Sequence, residues 1–508
     1  MSTSSRVIKN TIFLYIRMAV SILVNVFTTR ILLEALGASD YGLYNVVGSA
    51  VAMLGFVTAS MSSSTQRFIS YAEGEGSRER IREVFANALV VHWALAACAV
   101  ILFLAAAFIL FNGVLNIPEG REGAAMWVYG FMIFSTVFSI TVVPYDALLN
   151  ARENMFVYSV VGIADVLFKL GIAVAVAFHD AERLVFYGAL VAAESWLVRF
   201  ITQWYCRRRY GECRGVRPCG AFRGALVRKM LSFAGCNMMN IATGMISLFS
   251  MGLILNHFFG TVLNAALGVA TQLSGVLMAV SMNMIKALTP VLVKKEAARQ
   301  RSQMLDISYL GCKFSFLLFS FFCVPVVLFI HPILELWLRD VPERTAVFCQ
   351  VLIAGTLVDQ LTVFLHQSLS AQGDIGRYSA ARSVVNIMPV TASVLMFSCG
   401  EFSPVWIVLN WVLWKMFAGG LVNLYYARRQ IGLSLRAYAG RVLAPCLLVL
   451  AAVVTAGMAL GRGAHGLPGV FCPVLLAFAS IPLYWFLSLT RRERGMLLSF
   501  ANNAMNFK

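Results

Sequence analysis

The sequence predicts an all-α integral membrane protein of about 14 transmembrane helices: two six-helix lobes related by an axis along the membrane normal, plus a C-terminal helix pair. Three observations predict it. The chain is 59% hydrophobic with mean hydropathy +0.77 and 13% charged residues, where an ordinary soluble domain has roughly 25% charge. Apolar runs of about 20 residues, enough to cross a hydrocarbon core of roughly 30 Å, follow one another with short polar gaps. The chain also matches itself at an offset of about 223 residues.

The spans fall at 11–33, 42–66, 85–111, 124–148, 157–178, 184–206, 230–255, 262–288, 307–330, 347–369, 379–399, 404–426, 442–460 and 470–489. The runs are continuous, whereas barrel strands would alternate over about ten residues, so these are helices. The first span is expected to stay in the protein. It is too long for a signal peptide, carries Arg17 and Arg30, and has no small-residue cleavage site behind it.

A net charge of +17 would point a soluble protein toward nucleic acid, but its placement points elsewhere. About 27 of the 41 Lys and Arg lie in the N-terminal tail and every second connection, among them Arg78, Arg80 and Arg82, and Arg207 through Lys229. About five lie in the opposite set and about nine inside spans. That bias predicts cytoplasmic termini and basic loops, with no nucleic-acid role. Basic loops can also meet the anionic lipid of the bilayer. The 11 cysteines show no pairing logic, and Cys206, Cys213 and Cys219 lack the spacing of a zinc site, so no disulfide, metal or cofactor is expected.

The self-match extends over several elements. Gly37 falls on Gly260, Leu43 on Ala266, Val46 on Val269 and Glu73 on Glu296; later, at an offset of about 220, Ala151 falls on Ala371, Tyr158 on Tyr378 and Ser159 on Ser379. Matched loops in one ordered frame predict two copies of one bundle. Six is even, so both copies share one orientation, with a cavity between them. The expected domains are 1–206 (N-terminal lobe), 207–229 (basic cytoplasmic linker), 230–426 (C-terminal lobe) and 427–508 (appended pair and cytoplasmic tail).

Polar residues recur at helical steps: Arg17, Ser21, Asn25 and Thr28 in span 1; Ser49, Phe56, Ser60, Ser63 and Arg67 in span 2; Asn237, Asn240, Gly244 and Ser247 in span 7; Asn264, Gly268, Thr271, Gly275, Ala279, Met282 and Lys286 in span 8. Small residues on such stripes serve helix packing, but long stripes matched between the halves also suit the wall of a wet cavity. Arg17, Asn25, Arg30, Arg67, Asn240 and Lys286 are the candidate cationic and polar ligands. Arg30 with Glu34 suits snorkelling at a span end, and Arg67 and Lys286 stand where topology alone places cations.

A charge at the bilayer centre costs at least about 2.5 kcal/mol, so deep charges mark function or pairing. Asp165 and Lys169, four apart in span 5, can neutralise each other, and Glu194 could pair with Arg199 at an awkward spacing of five. Lys313 and Lys415 have no partner on their own helices. Asp359 stands alone in span 10 and leads the coupling candidates, with Glu194, Asp165 and Lys169 behind it; pairing with a lysine such as Lys415 is its competing role.

No enzyme constellation appears: there is no nucleotide-binding loop of Walker type, and the longest outer connection, from His331 to Ala346, has about sixteen residues. The stretch "TTRILLEALGASDYGLYNVVGSAVAMLGFVTASMSSSTQRFIS", with Leu36, Gly37, Asp40, Tyr41 and Gly42 in an LG…(D/E)YG pattern, resembles the first helix pair of the bacterial polysaccharide flippases. These belong to the multidrug/oligosaccharidyl-lipid/polysaccharide exporter superfamily. The resemblance extends over about the first 430 residues and implies a two-lobed bundle with alternating access. It implies an undecaprenyl-pyrophosphate-linked oligosaccharide as cargo and a polysaccharide polymerase machinery as a partner. Many of these flippases have twelve spans, one pair fewer than here. The alternatives are a cation-coupled multidrug exporter of the same superfamily and a lipid II type flippase. An acidic pocket in the first lobe would mark the drug exporter, and spans 1 and 2 carry Arg17 and Arg67 without an unpaired acid.

Overall fold

The computed structural model describes residues 3–52, 55–109, 111, 120–214, 223–259, 261–338, 341–463, 471–491 and 493–495. Parts of two expected regions, the linker at 215–222 and the tail from 496, lie outside them. The described residues form helices and turns, with no strand. Among the described residues twelve helices are long and apolar enough to cross a membrane, or thirteen if one bent pair is a single span.

By contacts the chain divides into Lys9–Gly235 and a second unit, Met1–Ile8 with Cys236–Lys508. The first unit contains most of α1 (Thr3–Ala52), two helical arms joined at Gly37, whose φ of 73° is open to glycine at little steric cost. The span read at 42–66 falls on the second arm and on α2 (Gly55–Gly74), with Met53 and Leu54 outside the described residues. Then come α3 (Arg78–Ile109), α4 (Glu122–Ala151), α5 (Met155–Ala177) and α6 (Arg183–Arg209). Asn154 starts α5: its Oδ1 accepts from Val157 N at 3.4 Å while its Nδ2 donates to Tyr205 and Tyr210. The core packs Phe85, Tyr145, Leu148 and Leu149 at one end, and Val47, Val128, Tyr129 and Leu184 at the other.

The LG…DYG motif has structural work at this second end. Gly37 turns the chain, Asp40 forms an ion pair with Arg121, and Arg183 donates to the Ala35 carbonyl at 2.9 Å, satisfying a carbonyl at the end of the first arm. Ser60 and Ser64 of α2 donate to the carbonyls of Ala234 (2.5 Å) and Met230 (2.9 Å), so Ser60 of the polar stripe serves helix packing. The side chain of Ser49 lies outside the described residues.

The second unit contains most of α7 (Gly224–Phe259), then α8 (Thr261–Ala297), α9 (Arg301–Leu328), α10 (Ile330–Trp337), α11 (Thr345–Gln360), α12 (Val363–Gln372), α13 (Gly376–Cys399), α14 (Val405–Ile431), α15 (Leu435–Gly461) and α16 (Phe471–Ser488). Span 10, read as one helix, is broken: α11 and α12 meet at 46°. The break is built, not frayed. Tyr438 donates to the Leu361 carbonyl at 2.7 Å and Asn423 Nδ2 donates to Thr362 Oγ1 at 3.1 Å, replacing helical hydrogen bonds that the bend removes. In α14, Val412–Ala418 is wound as π-helix and carries Lys415.

The appended pair, α15 and α16, packs on α9. Lys313 of α9 forms an ion pair with Glu493 at 2.7 Å, both nearly buried, and Ser320 bonds Tyr484 at 3.0 Å. Lys313, partnerless on its own helix, is thus matched from beyond the last span.

Candidate functional site

Each unit carries its own cluster of deep polar groups. In the first, α5 presents Tyr158, Gly162, Asp165 and Lys169 at steps of four, three and four, on one helix face. The Arg17 guanidinium lies over the Tyr158 ring, 4.5 Å from its centroid, in the space a side chain at Gly162 would take. Further along, Lys169 Nζ donates to both Asp165 oxygens at 2.9 Å. Glu194 of α6, 5% exposed, has Asp165 and Lys169 as electrostatic neighbours, and its Oε1 is buried without a hydrogen-bond partner.

The expected pairing of Glu194 with Arg199 does not form. Five residues turn the two side chains to different sides of α6, and Arg199 instead donates to Thr141 Oγ1 (2.7 Å) and Gln203 Oε1 (2.6 Å) beside the Trp93 ring. The first unit therefore holds a buried carboxylate that spans 1 and 2 do not reveal.

Other candidates in this unit are spent elsewhere. Arg67 is caged by Phe68, Phe233 and Tyr71 at 5.0, 5.0 and 5.5 Å. Arg30 pairs with Glu34 at 3.1 Å with both side chains exposed, and Asn25 is exposed.

In the second unit the cluster gathers around the α11–α12 break and the π segment. Asp359, one residue before the end of α11, is half-buried with Arg382 of α13 and Lys415 of α14 as its electrostatic neighbours. The Asp359–Lys415 ion pair that would explain both does not form; among the described residues no ion pair joins the three. Lys415 Nζ instead lies over the Trp411 ring at 4.5 Å, one turn back on its own helix, so its partner there is an aromatic face and not an opposite charge.

Arg382 packs against Gly419, and its Nε and Nη1 are buried without acceptors. Asn386, one turn on from Arg382, donates to Asn240 Oδ1 at 2.9 Å and ties α13 to α7. Behind the break runs a hydrogen-bond chain. Tyr378 donates to Asn423 Oδ1 at 2.7 Å, which leaves His366 Nδ1 as the donor to Tyr378 at 2.6 Å. Lys286 of α8 is half-buried.

Arg382 is not among the candidates legible in the sequence, although the self-match offers a signal. At the offset of about 220 it replaces Gly162, a large charge where the other copy has the smallest residue. The second cluster can bind an anion: two cations outnumber one carboxylate, and Arg382 keeps donors to spare. The first can hold a proton or a cation, with two carboxylates against Lys169. Among the described residues no group of His, Cys, Asp and Glu could hold a metal ion.

No protein-family profile and no curated sequence matches the chain. Solved structures do. A crystal structure of a MATE mutant superposes with TM-score 0.74 at 11% identity, covering 85% of this chain and 97% of the other. The outward-facing conformation of a multidrug resistance MATE family transporter of the MOP superfamily gives 0.70 at 11% identity over 85% and 97%. A MOP superfamily transporter from Pyrococcus furiosus gives 0.71 at 12% identity over 86% and 97%; its reversed binding-pocket polarity is reported to suggest a different function. The chain has the fold of the MATE transporters of the MOP superfamily.

Proposed function

We propose that this chain is a gradient-driven exporter that carries cationic amphiphilic compounds across a membrane in exchange for protons. Glu194 carries the reading, with Asp165 beside it. Lys169 neutralises one of the two carboxylates and leaves one negative charge in a low-dielectric setting, where a charge without a counterion is costly. A proton or an organic cation relieves that cost equally well, so the two compete for one site and their exchange couples cargo to gradient. The likeness to a structure described as a multidrug resistance transporter supports this reading over the flippase.

The test uses proteoliposomes that are acidic inside and a fluorescent cationic dye outside. The wild type accumulates dye until an ionophore collapses the gradient, Glu194→Gln abolishes accumulation, and Glu194→Asp retains part of it. Gradient-independent behaviour, or full transport by Glu194→Gln, sinks the proposal.

A second reading is favoured by Arg382 and Lys415: flipping of a lipid-linked oligosaccharide, with these cations on the pyrophosphate. The LG…DYG resemblance supports it less than it first would, because Gly37 turns the chain between the two arms of α1 and Asp40 pairs with Arg121, both structural roles. A deletion strain carrying Arg382→Gln that loses surface polysaccharide and accumulates lipid-linked units at the cytoplasmic leaflet would favour it, and with it a bacterial inner-membrane site and a polymerase partner.

A further inference from the structure

In the first unit a cavity of about 680 Å³ opens where the first turn of α3, the turn after α4 and the last turn of α6 converge; Arg78, Arg82, Arg152, Arg209, Tyr210 and Glu212 form most of its lining. We propose that it is a binding site for a phosphate-bearing anion, separate from the transported cargo. Its size falls in the range of small-ligand pockets, roughly 300–1,000 Å³.

Four lining arginines face two lining glutamates, Glu79 and Glu212, so the wall carries two positive charges in excess. Glu212 is already committed: it pairs with Arg152, which Glu73 also holds at 3.1 Å. Arg152 is thereby fixed beside the Tyr210 ring, and its Nε remains buried without an acceptor. Arg78 and Arg209 are exposed and make no ion pair among the described residues. Guanidinium forks match phosphate oxygens in pairs, and the positive end of the long helix α3 adds to the same potential.

The depth also fits. Arg78 and Arg209 are terminal residues of the membrane-length helices Arg78–Phe108 and Arg183–Arg209, which puts the cavity at headgroup level, on the face where the positive charge of the loops is concentrated. The phosphate can therefore come from an anionic lipid or from solution.

The experiment measures thermal unfolding of the full chain under four conditions: detergent without and with inorganic pyrophosphate, nanodiscs of phosphatidylcholine, and nanodiscs of phosphatidylcholine with cardiolipin. Arg78→Gln/Arg209→Gln is compared with Arg428→Gln/Arg429→Gln, which removes the same charge from the last turn of α14. Arg152 is left intact because its ion pairs hold local structure. Stabilisation of wild type and control, with at least tenfold weaker dependence on the anion in the Arg78/Arg209 variant, supports the site. A response to pyrophosphate in detergent identifies a soluble ligand, and a response to cardiolipin alone identifies a headgroup. No stabilisation by either anion, or equal responses of the two double variants, overturns it.

Discussion

Arg17 and Gly162 occupy one another's space: the guanidinium stands where a β-carbon on Gly162 would be, 4.5 Å from the centre of the Tyr158 ring. The second unit repeats the device with the parts exchanged. At the offset of about 220, Gly162 becomes Arg382 and Arg199 becomes Gly419, and Arg382 packs on Gly419. Each unit seats a guanidinium on a glycine, but from different helices.

Gly162→Ala should drive Arg17 off Tyr158 or strain the backbone, at about 1–3 kcal/mol for the overpacking. In an Arg17→Ala background the same substitution should cost nearly nothing. Unfolding of the four proteins in detergent closes the cycle, and an equal cost in both backgrounds would show that the two residues do not interact.

Lys313→Ala would leave Glu493 buried and unpaired, at about 3–5 kcal/mol, whereas Lys313→Met with Glu493→Leu should recover most of the loss. Burial alone would push Glu493 up, but hydrogen bonds from Lys313 and the Thr490 amide outweigh it and hold the carboxyl below its ordinary 4.5. A depressed folded value stabilises above the ordinary value and is lost as pH falls through the folded one. Docking of α15 and α16 should therefore weaken below about pH 4.5, read by limited proteolysis at acid pH; the double variant should lose this dependence.

Tyr438→Phe removes the donor to the Leu361 carbonyl at the α11–α12 break and should cost about 1–3 kcal/mol, with faster amide exchange confined to residues around 361–366. Unchanged exchange there would mean that water or another donor already serves that carbonyl.

Gly37→Ala must adopt φ 73° with ψ 167°, a region essentially confined to glycine, or straighten α1, and should lower stability by about 1–3 kcal/mol. A thermal midpoint equal to wild type would show that the two arms tolerate realignment.

Much of this protein was legible along the chain because its solvent imposes a simple pattern. Hydrocarbon demands apolar runs with internally satisfied backbones, so nearly every span could be placed from the order of apolar runs alone. The α11–α12 break was not legible: "AGTLVDQLTVFLHQSLSAQ" has neither Gly nor Pro at the bend, which depends on Tyr438 and Asn423 from other helices.

The deep charges divide in the same way. Asp165 with Lys169, four apart on one helix, was readable because helical pitch alone brings them together. Glu493 beneath Lys313, Arg382 beside Asp359 and the unmatched oxygen of Glu194 were not, since each depends on which faces of separate helices meet. One-dimensional order sets the cost of placing a charge in the membrane; packing between helices distant in sequence chooses which partner, if any, offsets it.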